Sequence, residues 1–125
     1  MNVIYDAGML IAAERNNRHA WADHRVRLEL GTIPMTTAPV VAQASRSGNQ
    51  VQLRRLLRGC EIRAFAPEEA HVVGALLGAS NTTDVVDAQL AIVASAHGAL
   101  VITSDDSDIE RLSAHLPEPL AVEHV

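Results

Sequence analysis

Apolar and polar positions along this chain follow two rhythms. Short unbroken apolar runs stand near both ends, Asn2-Val3-Ile4-Tyr5-Asp6 and Ala99-Leu100-Val101-Ile102-Thr103-Ser104-Asp105. Such runs are the signature of strands buried on both faces. Between them, apolar positions recur with a helical period. Residues 7–14 read as a helix. Residues 19–30 carry Ala20, Trp21, His24, Leu28 and Leu30 in a looser helical spacing that Gly31 closes. Residues 32–37 predict a second strand, and Pro34 points to an edge or irregular position for it. Residues 38–47 predict a helix with Pro39 in its first turn, where the missing N–H is harmless, and Gly48 at its end. Val51, Leu53, Leu56 and Leu57 predict the next helix, ending near Gly59, and residues 61–66 a third strand.

Pro67-Glu68-Glu69 is a good helix opening, with proline at the first position and acids in the first turn. That helix runs to about Gly78, and residues 81–83 turn. Residues 84–97 predict a long helix ended by Gly98, followed by a strand at 99–104, a short helix near 106–114 and a last strand at 120–123. Strands alternating with helices predict an α/β protein with a mostly parallel sheet, right-handed crossovers and helices on both faces. The chain is 125 residues long and carries no repeat or linker, so one domain over residues 1–125 is expected.

This arrangement gives the two terminal runs a chemical meaning. In open α/β sheets, ligands gather just beyond the carboxyl ends of the strands. Asp6 and Asp105 close two such strands, and Asp84 and Asp87 head the helix before the second. Carboxylates meeting at one rim repel by about 4 kcal/mol per pair at 4 Å and an effective dielectric of ~20, so a cation among them is expected. The six histidines form no paired zinc spacing and Cys60 stands alone, which points to Mg²⁺ or Mn²⁺ rather than zinc. Asp6 and Asp84 equally suit helix caps. Asp87, three residues past Asp84 on the same helix face, is the better metal ligand of the two. Asp105 and Asp108 flank the turn into the next helix, one as ligand and one as cap. Glu14 lies two turns beyond Asp6 and either leans over the site or pairs with Arg15 or Arg18 on the surface.

Charge sharpens the picture. All ten basic residues are arginine. Nine lie in residues 15–63 against three acids, a net +6, whereas residues 64–125 hold ten acids and Arg111, a net −9. A basic flank beside an acidic centre suits a metal enzyme acting on a polyanion, although a solvated surface explains the same asymmetry. Trp21, Tyr5 and Phe65 are the only aromatic residues, so stacking on bases has little support. A single cysteine excludes an internal disulfide. No signal peptide or 18-residue apolar run is visible, so a cytoplasmic protein without a membrane span is expected.

These residues resemble a PIN-domain ribonuclease, more narrowly a VapC-type toxin of a bacterial toxin–antitoxin pair. Ile4-Tyr5-Asp6-Ala7-Gly8 is similar to the family's opening strand–Asp motif. Asp87-Ala88-Gln89-Leu90-Ala91 resembles its Asp-Ala-x-Ile-Ala helix, and Val101-Ile102-Thr103-Ser104-Asp105 with Asp108-Ile109 resembles its Thr-x-Asp-x-x-Asp ending. Pro39-Val40-Val41-Ala42-Gln43 aligns with the segment where the family usually has Ala-Glu. The resemblance implies a three-layer α/β/α sandwich and a Mg²⁺-dependent endoribonuclease, with tRNA or ribosomal RNA as target. It also implies a homodimer and a cognate antitoxin that silences the acidic groove. Asp6, Asp87 and Asp105 carry over as the acidic cluster, with Asp108 as neighbour. Gln43 departs from the family's usual glutamate, and Glu14 or Asp84 is a candidate to replace its charge. Arg46, Arg54 and Arg55 are the candidates for gripping RNA phosphates.

Two other readings compete. A phosphoacceptor receiver domain needs a lysine near its end and an aspartate closing its middle strand, and this chain has neither. A catalytically weak or inactive binding module on the same fold is kept alive by Gln43.

Overall fold

Residues 1–125 are all described by the structure, a computed structural model. The apolar runs form one sheet of five strands: β1 (Val3–Tyr5), β2 (Met35–Thr37), β3 (Glu61–Arg63), β4 (Leu100–Thr103) and β5 (Val122–His124). Their spatial order is β3-β2-β1-β4-β5, and every neighbouring pair is parallel. Helices α1 (Ala7–Glu14) and α2 (Arg18–Glu29) connect β1 to β2, and α3 (Ala38–Ala44) and α4 (Val51–Leu57) connect β2 to β3. A 3₁₀ turn (Pro67–Glu69), α5 (Ala70–Ser80) and α6 (Val85–His97) lead to β4, and α7 (Asp106–Ser113) leads to β5.

The chain first builds outward from β1 to β3, then crosses back to build β4 and β5 on the other side. Right-handed crossovers place α1–α4 on one face and α5–α7 on the other. The packing agrees, with α1 against α2, α3 and α4, and α5 against α6 and α7. The architecture is therefore the expected α/β/α sandwich. Its main core joins the sheet residues Ile4, Tyr5, Val101 and Ile102 to Leu10, Val40 and Leu56 on one face and to Leu90 on the other. A smaller cluster of Val73, Leu76, Ala88, Ala91 and Leu112 locks α5, α6 and α7 together.

Several local expectations shift. Pro34 does not mark an edge, because β2 lies between β3 and β1. Pro34 stands one residue before β2 begins, and its carbonyl accepts the Glu61 N–H at 2.8 Å. A carbonyl is all that position asks for, so proline is harmless there. The edge strands are instead β3, which stops at Arg63, and β5. The helix expected over 38–47 ends at Ala44, since Ser45 turns extended (φ −80°, ψ 131°). Gln50 then gathers the loop: its Oε1 accepts from the N–H groups of Arg46 and Ser47, and its Nε2 donates to the Ala44 carbonyl. The last strand sits slightly later than expected, at Val122–His124. No helix is long and apolar enough to cross a membrane.

Candidate active site

The strand order reverses direction between β1 and β4, and the crevice beyond the carboxyl ends of those strands is where such sheets bind ligands. The register pairs Tyr5 with Ile102, so β4 runs one residue past the end of β1. Asp6 follows β1 directly and caps α1, its Oδ1 accepting the Ala7 N–H at 2.7 Å. Its Oδ2 accepts a hydrogen bond from the Thr103 hydroxyl at 2.8 Å. The Thr103 oxygen in turn accepts the Asp105 N–H at 2.9 Å, so one buried hydroxyl fixes both aspartates. Gly8 sits so close to Ser104 that a β-carbon there would collide with the serine side chain and press on its backbone nitrogen. Glycine thus lets the start of α1 approach the loop that carries Asp105.

The start of α6 supplies the second group. Asp84 caps the helix, its Oδ1 accepting the Asp87 N–H at 3.0 Å, and Asp87 lies half-buried in the first turn. Asp105 occupies the N-cap position of α7, and Asp108 lies in that helix's first turn. Asp6, Asp84, Asp87, Asp105 and Asp108 line one cleft of about 260 Å³, together with Gln43 from α3 and Arg46 from the loop after it.

Crowding shows in the protonation of these groups. Burial pushes the Asp87 carboxyl up to about 7, and the charges of Asp6, Asp84, Asp108 and Asp105 push the same way. Burial also raises Asp6, outweighing the hydrogen bonds from Ala7 and Thr103, and Asp84 and Asp105 add to the rise. The Asp108 carboxyl is raised first by a hydrogen bond to Asp105 and then by the charge of Asp105. Removing charged groups from water and setting like charges together both favour the neutral acid.

The donor set suits a hard divalent cation: carboxylate oxygens and one amide, with no thiolate or imidazole. No three histidine, cysteine, aspartate or glutamate side chains are grouped closely enough to hold a metal ion by themselves. An open cleft of this kind matches the habit of Mg²⁺, which takes one or two carboxylates and completes its shell with water and substrate oxygens.

Of the residues singled out from the sequence, Asp6, Asp84, Asp87, Asp105, Asp108, Gln43 and Arg46 share the cleft. Glu14 does not. Its Oε2 accepts the Leu53 N–H at 2.6 Å and so caps α4 from a neighbouring helix. Arg54 turns its guanidinium onto the Gly48 carbonyl, and Arg55 lies over the Trp21 ring, 5.2 Å from its centroid. Neither lines the cleft. Sequence reasoning placed Thr103 only within a motif and gave no role to its hydroxyl, which links Asp6 and Asp105. It also overlooked Arg15, which borders an adjoining groove that shares Gln43 and Arg46. The signal for Thr103 was present: a hydroxyl at the end of a run otherwise made of apolar side chains.

No family model matches the sequence, and no curated protein is similar to it. Solved structures share its fold. The chain superposes along its full length on 99% of a chain from the crystal structure of VapBC2 from Rickettsia felis bound to a DNA fragment from their promoter, with a TM-score of 0.74 and 17% identity. It also covers 89% of PAE2754 from Pyrobaculum aerophilum, with a TM-score of 0.65 and 16% identity over 98% of its own length. The fold is thus the PIN-like sandwich that the sequence resembles.

Proposed function

We propose that this chain is a divalent-metal-dependent endoribonuclease, the toxin of a toxin–antitoxin pair, hydrolysing phosphodiester bonds in structured RNA such as tRNA or ribosomal RNA. The observation that carries the reading is the convergence of five carboxylates at the sheet's switch point, with Asp87 pushed up to about 7. Residues would not be packed against such repulsion unless a cation or a proton relieved it.

In this reading Asp6, Asp87 and Asp105 hold Mg²⁺, with Mn²⁺ as substitute. An ion held there would supply an acidified water and offset charge on the phosphate. The chain itself does the positioning. Thr103 and the Ala7 N–H hold the Asp6 carboxylate in one orientation. The Asp105 carboxylate beside Asp108 raises the Asp108 carboxyl above its ordinary value at the cleft mouth. Arg46 faces the phosphate backbone from the α3 side. The folded shape of the RNA, rather than base stacking, selects the target. The VapBC2 likeness supports an antitoxin as partner, and a homodimer is part of the same proposal.

One observation favours a second reading, a binding module without catalysis. Gln43 brings an uncharged amide to the cleft, and no three of the carboxylates are grouped closely enough to hold a metal ion by themselves. Incubating the chain with tRNA and ribosomal RNA in Mg²⁺ separates the two. The ribonuclease reading expects discrete cuts that chelation and Asp6→Asn abolish. Intact RNA across Mg²⁺ and Mn²⁺ leaves the binding module standing instead.

A further inference from the structure

The acidic cleft adjoins a second cavity of about 300 Å³. Asp84, Asp87 and Asp108 wall both. The far wall of the second cavity is Arg111 from α7 and the turn at Asn81, Thr82 and Thr83. Arg111 is the only arginine in residues 64–125, which contain no lysine. Its charge lowers the Asp108 carboxyl, yet its guanidinium forms no hydrogen bond or ion pair within the protein. The ion pairs belong to Arg27, Arg63 and His124. The guanidinium hydrogen bonds belong to Arg27, Arg46, Arg54 and Arg63.

Three carboxylates share the cavity with this cation, yet none bonds to it. Its planar fork of donors therefore remains available for an outside anion. On the opposite side of the acids, Arg46 and Arg15 border the cleft and the groove that joins it. Positive groups thus flank the acidic centre on both sides. That is the layout for a polyanionic strand laid across it, with one phosphate over the acids and its neighbours over the cations. Asn81 and Thr83 each bring a polar side chain that can both donate and accept, as a ribose 2′-hydroxyl can.

We propose that Arg111 and the 81–83 turn form a nucleotide subsite beside the cut: Arg111 holds the phosphate next to the scissile one, and Asn81 and Thr83 meet its ribose. The inference rests on the ribonuclease reading of the acidic cleft. It adds an end to the substrate path that the sequence did not indicate.

Steady-state kinetics on a fluorescent oligoribonucleotide that the wild type cuts test it. Arg111→Ala raises KM by roughly ten-fold, the size of one lost charge-assisted contact, with kcat nearly kept. Arg111→Lys recovers part of the loss, because the charge stays while the fork goes. In the cleavage-deficient Asp6→Asn chain, adding Arg111→Ala lowers the slope of log binding constant against log salt by about one. Arg18→Ala, on the exposed start of α2, leaves both quantities unchanged. The Asn81→Gly/Thr83→Val chain keeps the left-handed turn at residue 81 (φ 54°) and separates ribo- from deoxyribo-oligonucleotide less well. Unaltered discrimination removes the ribose half of the subsite. An unchanged KM in Arg111→Ala, or a fall in kcat alone, overturns the subsite while cleavage by the wild type leaves the ribonuclease standing. A wild type that cuts no RNA removes both.

Discussion

Tyr5 and Asp6 are neighbours in the chain, both almost fully buried, and their polar groups live in opposite circumstances. The Tyr5 hydroxyl shares a hydrogen bond with His24 Nδ1 at 2.8 Å and accepts from Arg27 Nη1 at 3.2 Å. Arg27 also pairs with Glu123 at 3.1 Å, which ties α2 to the edge strand β5. The Tyr5 hydroxyl, His24 Nδ1, the Arg27 guanidinium and the Glu123 carboxylate each meet a complementary group. Burial pushes the Tyr5 phenol up to about 12 and holds His24 below its usual range, so both stay neutral. Asp6 faces other carboxylates instead, and both it and Asp87 are pushed upward. One cluster is satisfied from within, and the other is left short of positive charge. A satisfied buried network stabilises and specifies the fold. An unsatisfied one marks where the fold gives up stability for a ligand.

The largest expected effect separates the two clusters by activity. Asp6→Asn keeps an oxygen to cap α1 while removing the charge. RNA cleavage falls by roughly 10³-fold, equivalent to ~4 kcal/mol of transition-state stabilisation, while the melting temperature holds or rises. Tyr5→Phe does the reverse. It strands His24 and Arg27 and lowers stability by about 1–3 kcal/mol in denaturant titration, with the rate per folded molecule kept. A Tyr5→Phe chain that is fully stable, or an Asp6→Asn chain that cuts normally, dissolves the contrast.

Glu14 tests the boundary of the acidic cluster. As a cap for α4 it contributes stability and nothing to cleavage, so Glu14→Ala lowers stability by about 1 kcal/mol and leaves RNA cutting intact. A loss of activity at equal folding returns Glu14 to the site.

The smallest effect is in pH, where the clusters pull in opposite directions. Asp87 is raised from 3.8 to about 7, so the fold holds a proton that the unfolded chain has lost. Its contribution is fully present below 3.8 and is lost as pH rises through 7. Asp6 acts in the same direction. His24 is lowered from 6.5, so its contribution is present above that value and lost as pH falls. Melting measured from pH 5 to 7.5 in chelator is therefore nearly flat or falling in the wild type, and rises with pH in Asp87→Asn. Parallel curves for the two chains remove the electrostatic account of Asp87.

The sequence shows the parallel α/β plan and the acidic rim because both are local. Unbroken apolar runs mark β1 and β4; Asp6 directly follows the first, and Asp105 stands two residues past the second. What it conceals depends on contacts between distant segments. Glu14 reads as a residue near the site or a surface partner of Arg15 or Arg18 until Leu53, from a helix far along the chain, offers it an N–H. Arg54 and Arg55 belong to the basic segment, yet a loop carbonyl and an indole ring claim them. Arg111 looks isolated in an acidic half, and only the fold brings it beside the 81–83 turn. Pro34 suggests an edge because sequence alone does not show that its carbonyl, and not its nitrogen, faces β3.

Titration calorimetry of the metal-free chain with Mg²⁺ and Mn²⁺ at pH 7 tests the central claim most directly. The expected result is saturable binding with proton release, visible as a dependence of heat on buffer, since ligand carboxylates must ionise. Binding is lost or greatly weakened in Asp6→Asn and Asp87→Asn. Absence of cation uptake by the wild type, or equal uptake by all three chains, contradicts a shared metal site among these aspartates.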